Sequence, residues 1–305
     1  MRFAFVWALS VGLDGGPLVE LGRHLFYDQR LSVNGQQSCA SCHKQELAFT
    51  DGRARAVGAT GEEHPRGAMS LVNVGARGAL TWMDPGVRGL EEQALVPMFG
   101  VKPVELGLKG REALVARMLA GDATYRRLFA HAYPGVAVPY SIARVTQALA
   151  AFERTIVSRA SPYDRYYYGG ERTAISEAAQ RGEALFFTEG VAGCFRCHAG
   201  RDFDGGLHNT AVEPGQTRAF RAPTLRNIAV TAPYMHDGSL KTLEEVIDAY
   251  ARGGRHAENP RKDKRLTGFA LTPRNRADLV EFLRSLTDES VRRDPRFANP
   301  WALTQ

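Results

Sequence analysis

The sequence of 305 residues predicts an all-α protein built from two helical domains. Three observations support this fold class. Several stretches carry apolar residues at helical spacing, and no stretch shows convincing strand alternation. In addition, the pattern Cys-x-x-Cys-His occurs twice, each time after a predicted helix. We therefore expect one helical unit around each copy and place the domains at 1–165 and 166–305, with a junction in the Tyr-rich segment 161–170.

The helices are predicted from apolar spacing and from capping residues. Thr242 and Glu245 form the sequence pattern of a capping box, and Thr272 with Pro273 is a typical helix start. Residues 44–80 are rich in Gly, Arg and Ala with little periodicity, which is typical of a loop packed around a cofactor. The predicted helices are 18–27, 111–129, 140–157, 176–187, 242–252 and 272–286.

The repeated pattern is the attachment signature of c-type haem. Two thiols bond to the vinyl groups of the porphyrin, and the adjacent imidazole binds the iron. A zinc ribbon would separate its cysteine pairs by about 15–20 residues, whereas the two histidines are 198 − 43 = 155 residues apart. A redox-active Cys-x-x-Cys needs no following histidine. We predict two covalent c-type haems in cytochrome c-like domains, with no disulfide. The predicted attachment residues are Cys39, Cys42 and His43, and Cys194, Cys197 and His198.

Charge and hydropathy argue against two kinds of partner. The formal net charge is +6, but four haem propionates would offset most of it, so a nucleic-acid partner is not predicted. No stretch approaches 18 consecutive apolar residues, so no membrane span is predicted. Residues 1–13 are either the remnant of an export signal or the first segment of the mature chain. Covalent haem attachment is typical of extracytoplasmic compartments, so we expect a periplasmic location.

Several segments between and beyond the haem motifs resemble the bacterial diheme cytochrome c peroxidase and MauG superfamily over nearly the whole chain. The resemblance implies a peroxide-reactive N-terminal haem and an electron-storing C-terminal haem. The matching segments are LGRHLFYD at 21–28, RLS at 30–32, AFTDG at 48–52, FRAPTLRN at 220–227 and APYMHDGSL at 232–240.

Position 250 decides the branch of the superfamily that the chain resembles. In the peroxidases a methionine lies fourteen residues after the histidine of the Tyr-x-His-Asp-Gly motif and caps the second haem. Here 236 + 14 = 250 is a tyrosine, as in the MauG-like branch. The resemblance implies that Tyr250 binds the second iron opposite His198; the alternative is a core tyrosine. A phenolate favours ferric and higher states, whereas a thioether favours ferrous iron. Met235 is interpreted as a packing residue.

The resemblance also implies an open face on the first haem, opposite His43, where hydrogen peroxide reacts. Its pocket maps to Gln93, Pro97 and Glu105, although Glu105 lies two residues farther from Gln93 than in the family. A carboxylate there would move a proton from the near oxygen of peroxide to the leaving oxygen; the alternative is an exposed loop glutamate. His64 does not have the spacing of a peroxidase ligand, so we expect it on the loop surface.

Two further features are implied by the resemblance. Trp82 maps to the tryptophan that relays electrons between the haems; the alternative is a buried aromatic wedge. The family also carries a calcium ion, whose carbonyl ligands map to Thr231 and Pro233. Gly67 replaces its asparagine ligand, so either water supplies the missing oxygen to the calcium ion or the calcium site is lost. Trp7 and Trp301 have no matching role.

The leading hypothesis is a MauG-like haem-dependent oxidoreductase, closest to the MbnH-like enzymes. Peroxide would generate a two-haem Fe(IV) state that oxidises a residue of a partner protein, by resemblance a tryptophan converted to kynurenine on an MbnP-like partner. The second hypothesis is a diheme cytochrome c peroxidase that takes electrons from a small cytochrome. The third is an electron carrier without catalysis, which would require a sixth ligand on both irons.

Overall fold

The computed structural model describes residues 15–78 and 80–304; Trp7 and the whole predicted leader segment, residues 1–13, lie outside this range. The described chain is mostly helical, and the haem motifs lie in or next to short helical turns. The helices are α1 Pro17–Tyr27, α2 Cys39–Cys42, α3 Leu90–Phe99, α4 Glu112–Gly121, α5 Ala123–Ala132, α6 Ile142–Arg154, α7 Pro162–Tyr167, α8 Glu177–Phe187, α9 Leu243–Ala251, α10 Pro273–Ser285 and α11 Glu289–Arg293. Short 3-10 turns connect them, including Cys194–Arg196 at the second motif.

Each half is organised around a helix pair that crosses at a glycine. In the first half α1 packs on α6, and a Cβ on Gly22 would collide with the backbone carbonyl of Ala148. In the second half α8 packs on α10, and a Cβ on Gly182 would collide with the carbonyl of Asp278. Glycine permits this close approach because it has no side chain. The two equivalent crossings confirm the predicted all-α class with two similar units.

The predicted helix 111–129 is wrong as a single element. The structure has α4 and α5, separated at Asp122, whose backbone is extended. The carboxylate of Asp122 accepts hydrogen bonds from the backbone N–H groups of Thr124 and Tyr125 at 2.8 and 3.1 Å. Aspartate is a favoured N-cap because it satisfies donors that the helix itself leaves unpaired. It therefore starts a new helix inside an apolar pattern that continues across the break.

Two very short strands were not predicted. Strand β1 Leu207–His208 pairs with β2 Phe220–Arg221 in antiparallel fashion. Two residues per strand are too few to show apolar alternation in the sequence. The other predicted helices are confirmed with shifts of a few residues at their ends, and the side chains of Thr242 and Glu245 make both hydrogen bonds of the predicted capping box.

The C-terminal segment crosses back to the first half. Val291 and Phe297 are buried in the same apolar core as α1 and α6. The hydroxyl of Tyr27 donates to the carbonyl of Phe297 at 2.6 Å, and the side-chain amide of Gln45 donates to the carbonyl of Asp294 at 2.8 Å. A division of the sequence at residue 165 therefore assigns this segment to the second unit, although it packs on the first; the boundary remains a prediction.

Buried polar contacts also join the two halves. The side-chain amide of Asn73 donates to the carboxylate of Asp202 at 2.7 Å. The guanidinium of Arg226 is fully buried and lies 2.7 Å from the carboxylate of Asp164. The backbone N–H of Arg221 donates to the carbonyl of Trp82 at 2.9 Å. Each of these contacts joins a residue between the two haem motifs to a residue that follows the second motif.

Candidate active site

The first haem motif lines a cavity in the N-terminal half. Cys39 and Cys42 lie on α2, and His43 follows directly, with all three side chains on the cavity wall. The Nδ1 atom of His43 donates to the carbonyl of Phe49 at 2.9 Å, because a carbonyl can only accept. This bond leaves Nε2 free to bind iron, and such an orienting bond is typical of histidine ligands. Burial lowers the pKa of His43, so the imidazole is neutral and available.

The second motif repeats this arrangement in the C-terminal half. Cys194, Cys197 and His198 line a larger cavity. The Nδ1 atom of His198 lies 3.1 Å from the carbonyl of Phe203 and 3.2 Å from that of Pro223. Both carbonyls accept, so Nε2 is again free for a metal. Burial also lowers the pKa of His198.

The residues around both motifs have the chemistry that c-type haem requires. None of the four cysteines is in a disulfide, so each sulfur can form a thioether with a haem vinyl group. The second cavity has a volume of about 260 Å³ and is walled mainly by apolar side chains. Arg221 lines it, and its buried Nε atom has no hydrogen-bond partner among the described residues. A propionate carboxylate would satisfy such a donor. The donor set and the lining therefore fit the group.

The three predicted pocket residues of the first haem lie together. Gln93 and Pro97 are four residues apart on α3, so they share one helix face. Both line the first cavity with Glu105 and His43. Burial raises the pKa of the Glu105 carboxyl above its usual range. The longer offset of Glu105 from Gln93 does not remove its side chain from the cavity.

The expectation that His64 lies on the loop surface is wrong. Its ring lines the first cavity, and its Nδ1 accepts from the backbone N–H of Arg66 at 3.2 Å. The proton of the neutral ring is therefore on Nε2, which lies 3.8 Å from a carboxylate oxygen of Glu105. Gly58 permits this arrangement, because a Cβ there would collide with the carbonyl of Val104. Sequence spacing did not reveal this packing of two loops.

A buried carboxyl in the first cavity was missed by the sequence reasoning. Glu153 lines the cavity from α6 and is 6% exposed. Its Oε2 atom has no hydrogen-bond partner among the described residues. Burial raises its pKa to about 8. A signal was present in the sequence, because Glu153 lies four residues after Leu149, on the apolar face of the predicted helix.

Tyr250 lies in the second cavity with the second haem motif. Its side chain projects from α9 among the lining residues, and burial raises the pKa of its hydroxyl. The Tyr250 hydroxyl lies 3.9 Å from the sulfur of Met235, which also lines the cavity. Met235, interpreted as packing from the sequence, is thus next to the predicted phenol ligand.

Trp82 and the predicted calcium carbonyl residues line the same cavity, where the two halves meet. The indole N–H of Trp82 donates to the carbonyl of Gly67 at 3.2 Å. Gly67 has no side-chain oxygen, and its backbone carbonyl already accepts the hydrogen bond from Trp82. Thr231 and Pro233 also line this cavity. Within residues 15–78 and 80–304, no group of three or more His, Cys, Asp or Glu side chains is arranged to hold a metal ion.

Comparison with known proteins assigns the chain to a family. The family model described as di-haem cytochrome c peroxidase matches residues 17–172, and the cytochrome c model matches residues 179–287. The chain belongs to the di-haem cytochrome c peroxidase family. It is 37% identical to the methylamine utilization protein MauG of Methylorubrum extorquens AM1, over 89% of this chain and 78% of that protein. It is 31% identical to the cytochrome c551 peroxidase of Nitrosomonas europaea, over 80% of this chain and 75% of that protein.

A solved structure is also similar. It is described as a MauG-like protein associated with microbial copper homeostasis, with a TM-score of 0.88 and 40% identity, covering 98% of this chain and 100% of that chain. These findings confirm a haem-dependent oxidoreductase with two c-type haems, so the hypothesis of a carrier without catalysis is set aside. No helix in the described part of the chain is long and apolar enough to cross a membrane.

Proposed function

We propose that this protein uses hydrogen peroxide to oxidise a residue, by resemblance a tryptophan, of a partner protein in the manner of MauG-like enzymes. Tyr250 carries the proposal. It is a partly buried phenol that lines the cavity of the second haem, at the position where peroxidases of this family use methionine. If His198 and the Tyr250 oxygen both held the second iron, the anionic oxygen would favour oxidised iron and disfavour electron uptake from a cytochrome. The likeness to the MauG-like structure supports the same branch.

The first haem supplies, when bound by His43, the iron at which the O–O bond of peroxide is broken. Glu105 accepts the proton of the near oxygen and returns it to the leaving oxygen, for which its raised pKa suits it. Gln93 donates a hydrogen bond to peroxide from α3, and Pro97 limits the space beside it. Trp82 passes electrons between the two halves. Overall, two electrons from the partner residue and two protons reduce hydrogen peroxide to two water molecules.

The location and the partner follow from the same chemistry. Covalent haem attachment supports a periplasmic location. The copper-associated MauG-like structure makes a protein of copper handling the partner class to test first, as expected for an MbnP-like substrate. We also propose a calcium ion bound by the backbone carbonyls of Thr231 and Pro233. Because Gly67 stands where the family has an asparagine ligand, water would supply that oxygen.

The experiment is a single-turnover oxidation with the diferric holoprotein, stoichiometric peroxide and a candidate partner. We expect a modified tryptophan in the partner by mass spectrometry, and its loss in Tyr250→Met. A matched control is Tyr140→Phe, which changes a tyrosine of the first half outside both cavities. If the wild type reacts with peroxide but oxidises a reduced small cytochrome quickly and leaves every partner unmodified, the proposal fails.

The second candidate is a diheme cytochrome c peroxidase that reduces peroxide with electrons from a small cytochrome. The specific observation in its favour is Met235, whose thioether lies beside Tyr250 in the second cavity. If Met235 binds the iron, the second haem takes up an electron readily, as thioether ligation raises the potential. Steady turnover with a reduced cytochrome, abolished by Met235→Leu and kept by Tyr250→Phe, is the expected result for this candidate.

A further inference from the structure

Four tyrosines lie in one short segment that the proposed site does not use. Tyr163, Tyr166, Tyr167 and Tyr168 belong to α7 and its end. Tyr163 is 2% exposed, whereas Tyr167 and Tyr168 are 60% and 50% exposed. Large aromatic side chains with this much exposure are unusual in a helix that packs on a core. The segment thus joins the interior to the surface through phenol rings, which are readily oxidised.

One residue, Phe203, connects the inner end of this segment to the second haem motif. The carbonyl of Phe203 accepts from His198, and the ring of Phe203 packs edge-on against Tyr163 with centroids 5.5 Å apart. The first haem motif has a comparable carbonyl on Phe49, but the rings packed on Phe49 are Phe26 and Phe297, each at 6.2 Å. Phenylalanine is far harder to oxidise than tyrosine. Among the described residues, one of the rings packed on Phe203 is therefore a phenol, whereas the two rings packed on Phe49 are phenylalanines.

From Tyr163 the rings continue outward. Tyr163 and Tyr167 are stacked, with centroids 5.5 Å apart and an interplanar angle of 20°. Tyr167 and Tyr168 meet edge to face at 4.9 Å. The guanidinium of Arg201 lies over the ring of Tyr168 at 4.4 Å, which fixes the outermost ring in place. Tyr163, Tyr167 and Tyr168 are thus connected by ring contacts from the interior to the surface.

A proton acceptor is placed at the buried ring. The hydroxyl of Tyr163 donates to a carboxylate oxygen of Glu183 at 2.9 Å, within the range for direct proton transfer. Burial, together with the negative charge of Glu183, raises the pKa of Tyr163, so the phenol is protonated before it reacts. Loss of an electron makes a phenol strongly acidic, and its proton then needs a nearby base. Glu183 is that base.

We propose that Tyr163, Tyr167 and Tyr168 form the route by which oxidising equivalents pass from the second haem to the protein surface. The inference rests on the proposed function and adds the exit point to it. For each equivalent, Tyr163 gives one electron towards the haem and its hydroxyl proton to Glu183. Tyr167 or Tyr168 then returns an electron to Tyr163, which recovers its proton from Glu183, and the surface phenol releases a proton to water.

The overall step is balanced by hydrogen peroxide as the oxidant. Without a partner, two phenols each lose one electron and one proton, and these reduce one peroxide molecule to two waters, leaving two phenoxyl radicals. With a partner, each phenoxyl regains an electron and a proton from the partner side chain and returns to tyrosine. The partner residue is therefore oxidised next to Tyr167 and Tyr168, without contact with either haem.

The test uses the diferric holoprotein with stoichiometric peroxide and no partner. Freeze-quench electron paramagnetic resonance reports tyrosyl radicals, and mass spectrometry locates dityrosine and other oxidised tyrosines. We expect both in the wild type, at positions 167 and 168. Because removing a proton-transfer group costs at least about tenfold in rate, Tyr163→Phe and Glu183→Gln should each reduce their yield by at least about tenfold.

Two further variants distinguish a specific loss of the tyrosine route from a general folding defect. The double variant Tyr167→Phe/Tyr168→Phe changes only exposed rings and should abolish the surface dityrosine. Tyr133→Phe, a partly exposed tyrosine of the first half, should leave its yield unchanged. Equal yields in the wild type and Tyr163→Phe, or an equal loss in Tyr133→Phe, overturn the route. A peroxide-induced optical change without radicals in the segment overturns the route alone, whereas no optical change in the wild type overturns the proposed function.

Discussion

The hydroxyl oxygen of Tyr250 lies 3.9 Å from the sulfur of Met235 inside the cavity of the second haem. Two candidate axial ligands of opposite character are therefore in contact at one position. One is a phenol that becomes a hard anion, and the other is a soft, neutral thioether. Which of them binds the iron determines whether the second haem retains oxidising equivalents or takes up electrons.

Replacement of Tyr250 by methionine should raise the reduction potential of the second haem. The loss of an anionic oxygen ligand destabilises ferric iron, and we expect an increase on the order of 0.1–0.3 V, within the roughly 0.8 V range that axial ligands span. Spectroelectrochemical titration of the holoprotein measures it. Met235→Leu is the matched variant and should leave the potential near that of the wild type; the reverse pattern would identify Met235 as the ligand.

Replacement of Glu105 by glutamine should slow the reaction of the first haem with peroxide by about 10²–10⁴-fold. The amide keeps the shape of the side chain but cannot accept the proton. Because burial raises the pKa of Glu105, the wild-type rate should fall as the pH decreases through that raised value, and the variant should lose this dependence. Stopped-flow spectroscopy across pH measures both. Glu63→Gln, in an exposed position of the loop that contains His64, should behave as the wild type does.

Glu153 should make the protein less stable as the pH rises. Its pKa is raised from 4.5 to about 8 in the folded state, so the folded protein binds more protons than the unfolded chain between these values. The free energy of unfolding must then decrease as pH increases through that interval. Thermal unfolding of the holoprotein from pH 4 to 9 measures the slope. Glu153→Gln should flatten it, whereas the exposed Glu92→Gln should not; an unchanged slope in Glu153→Gln would contradict the assignment.

Addition of one methyl group at Gly182 should destabilise the second half. The new Cβ would collide with the backbone carbonyl of Asp278 where α8 crosses α10, and overpacking of this kind costs about 1–3 kcal/mol. Urea unfolding of the holoprotein, monitored by circular dichroism, measures the loss. Gly121→Ala is the control, because a Cβ at the end of α4 meets no atom within 4 Å. A neutral Gly182→Ala would show that the helix crossing can open without cost.

The features that were predictable from the sequence depend on short-range patterns. Cys-x-x-Cys-His specifies its chemistry within five residues, and the capping box of Thr242 and Glu245 marks a helix start within four. The break at Asp122 was missed because the apolar spacing continues on both sides of it. The sequence shows that an aspartate is present at position 122. Whether its carboxylate faces solvent or accepts hydrogen bonds from the backbone depends on the fold.

The missed site residues depend on contacts between distant segments. His64 faces Glu105 because Gly58 permits its loop to approach Val104, and no local pattern encodes that approach. Glu153 was detectable in principle as a charge on the apolar face of α6. The sequence does not show that this face of α6 lines a cavity. A single carboxyl on an apolar helix face can also be an ordinary buried residue without a role in a site.

The return of the C-terminal segment to the first half has a consequence for biogenesis. Val291 and Phe297 complete the apolar core around α1 and α6, yet they are synthesised after the entire second unit. The first unit therefore cannot complete its apolar core until the C-terminal segment has been synthesised. A fragment ending at the predicted boundary, residue 165, would lack part of its own interior, because Val291 and Phe297 would be absent.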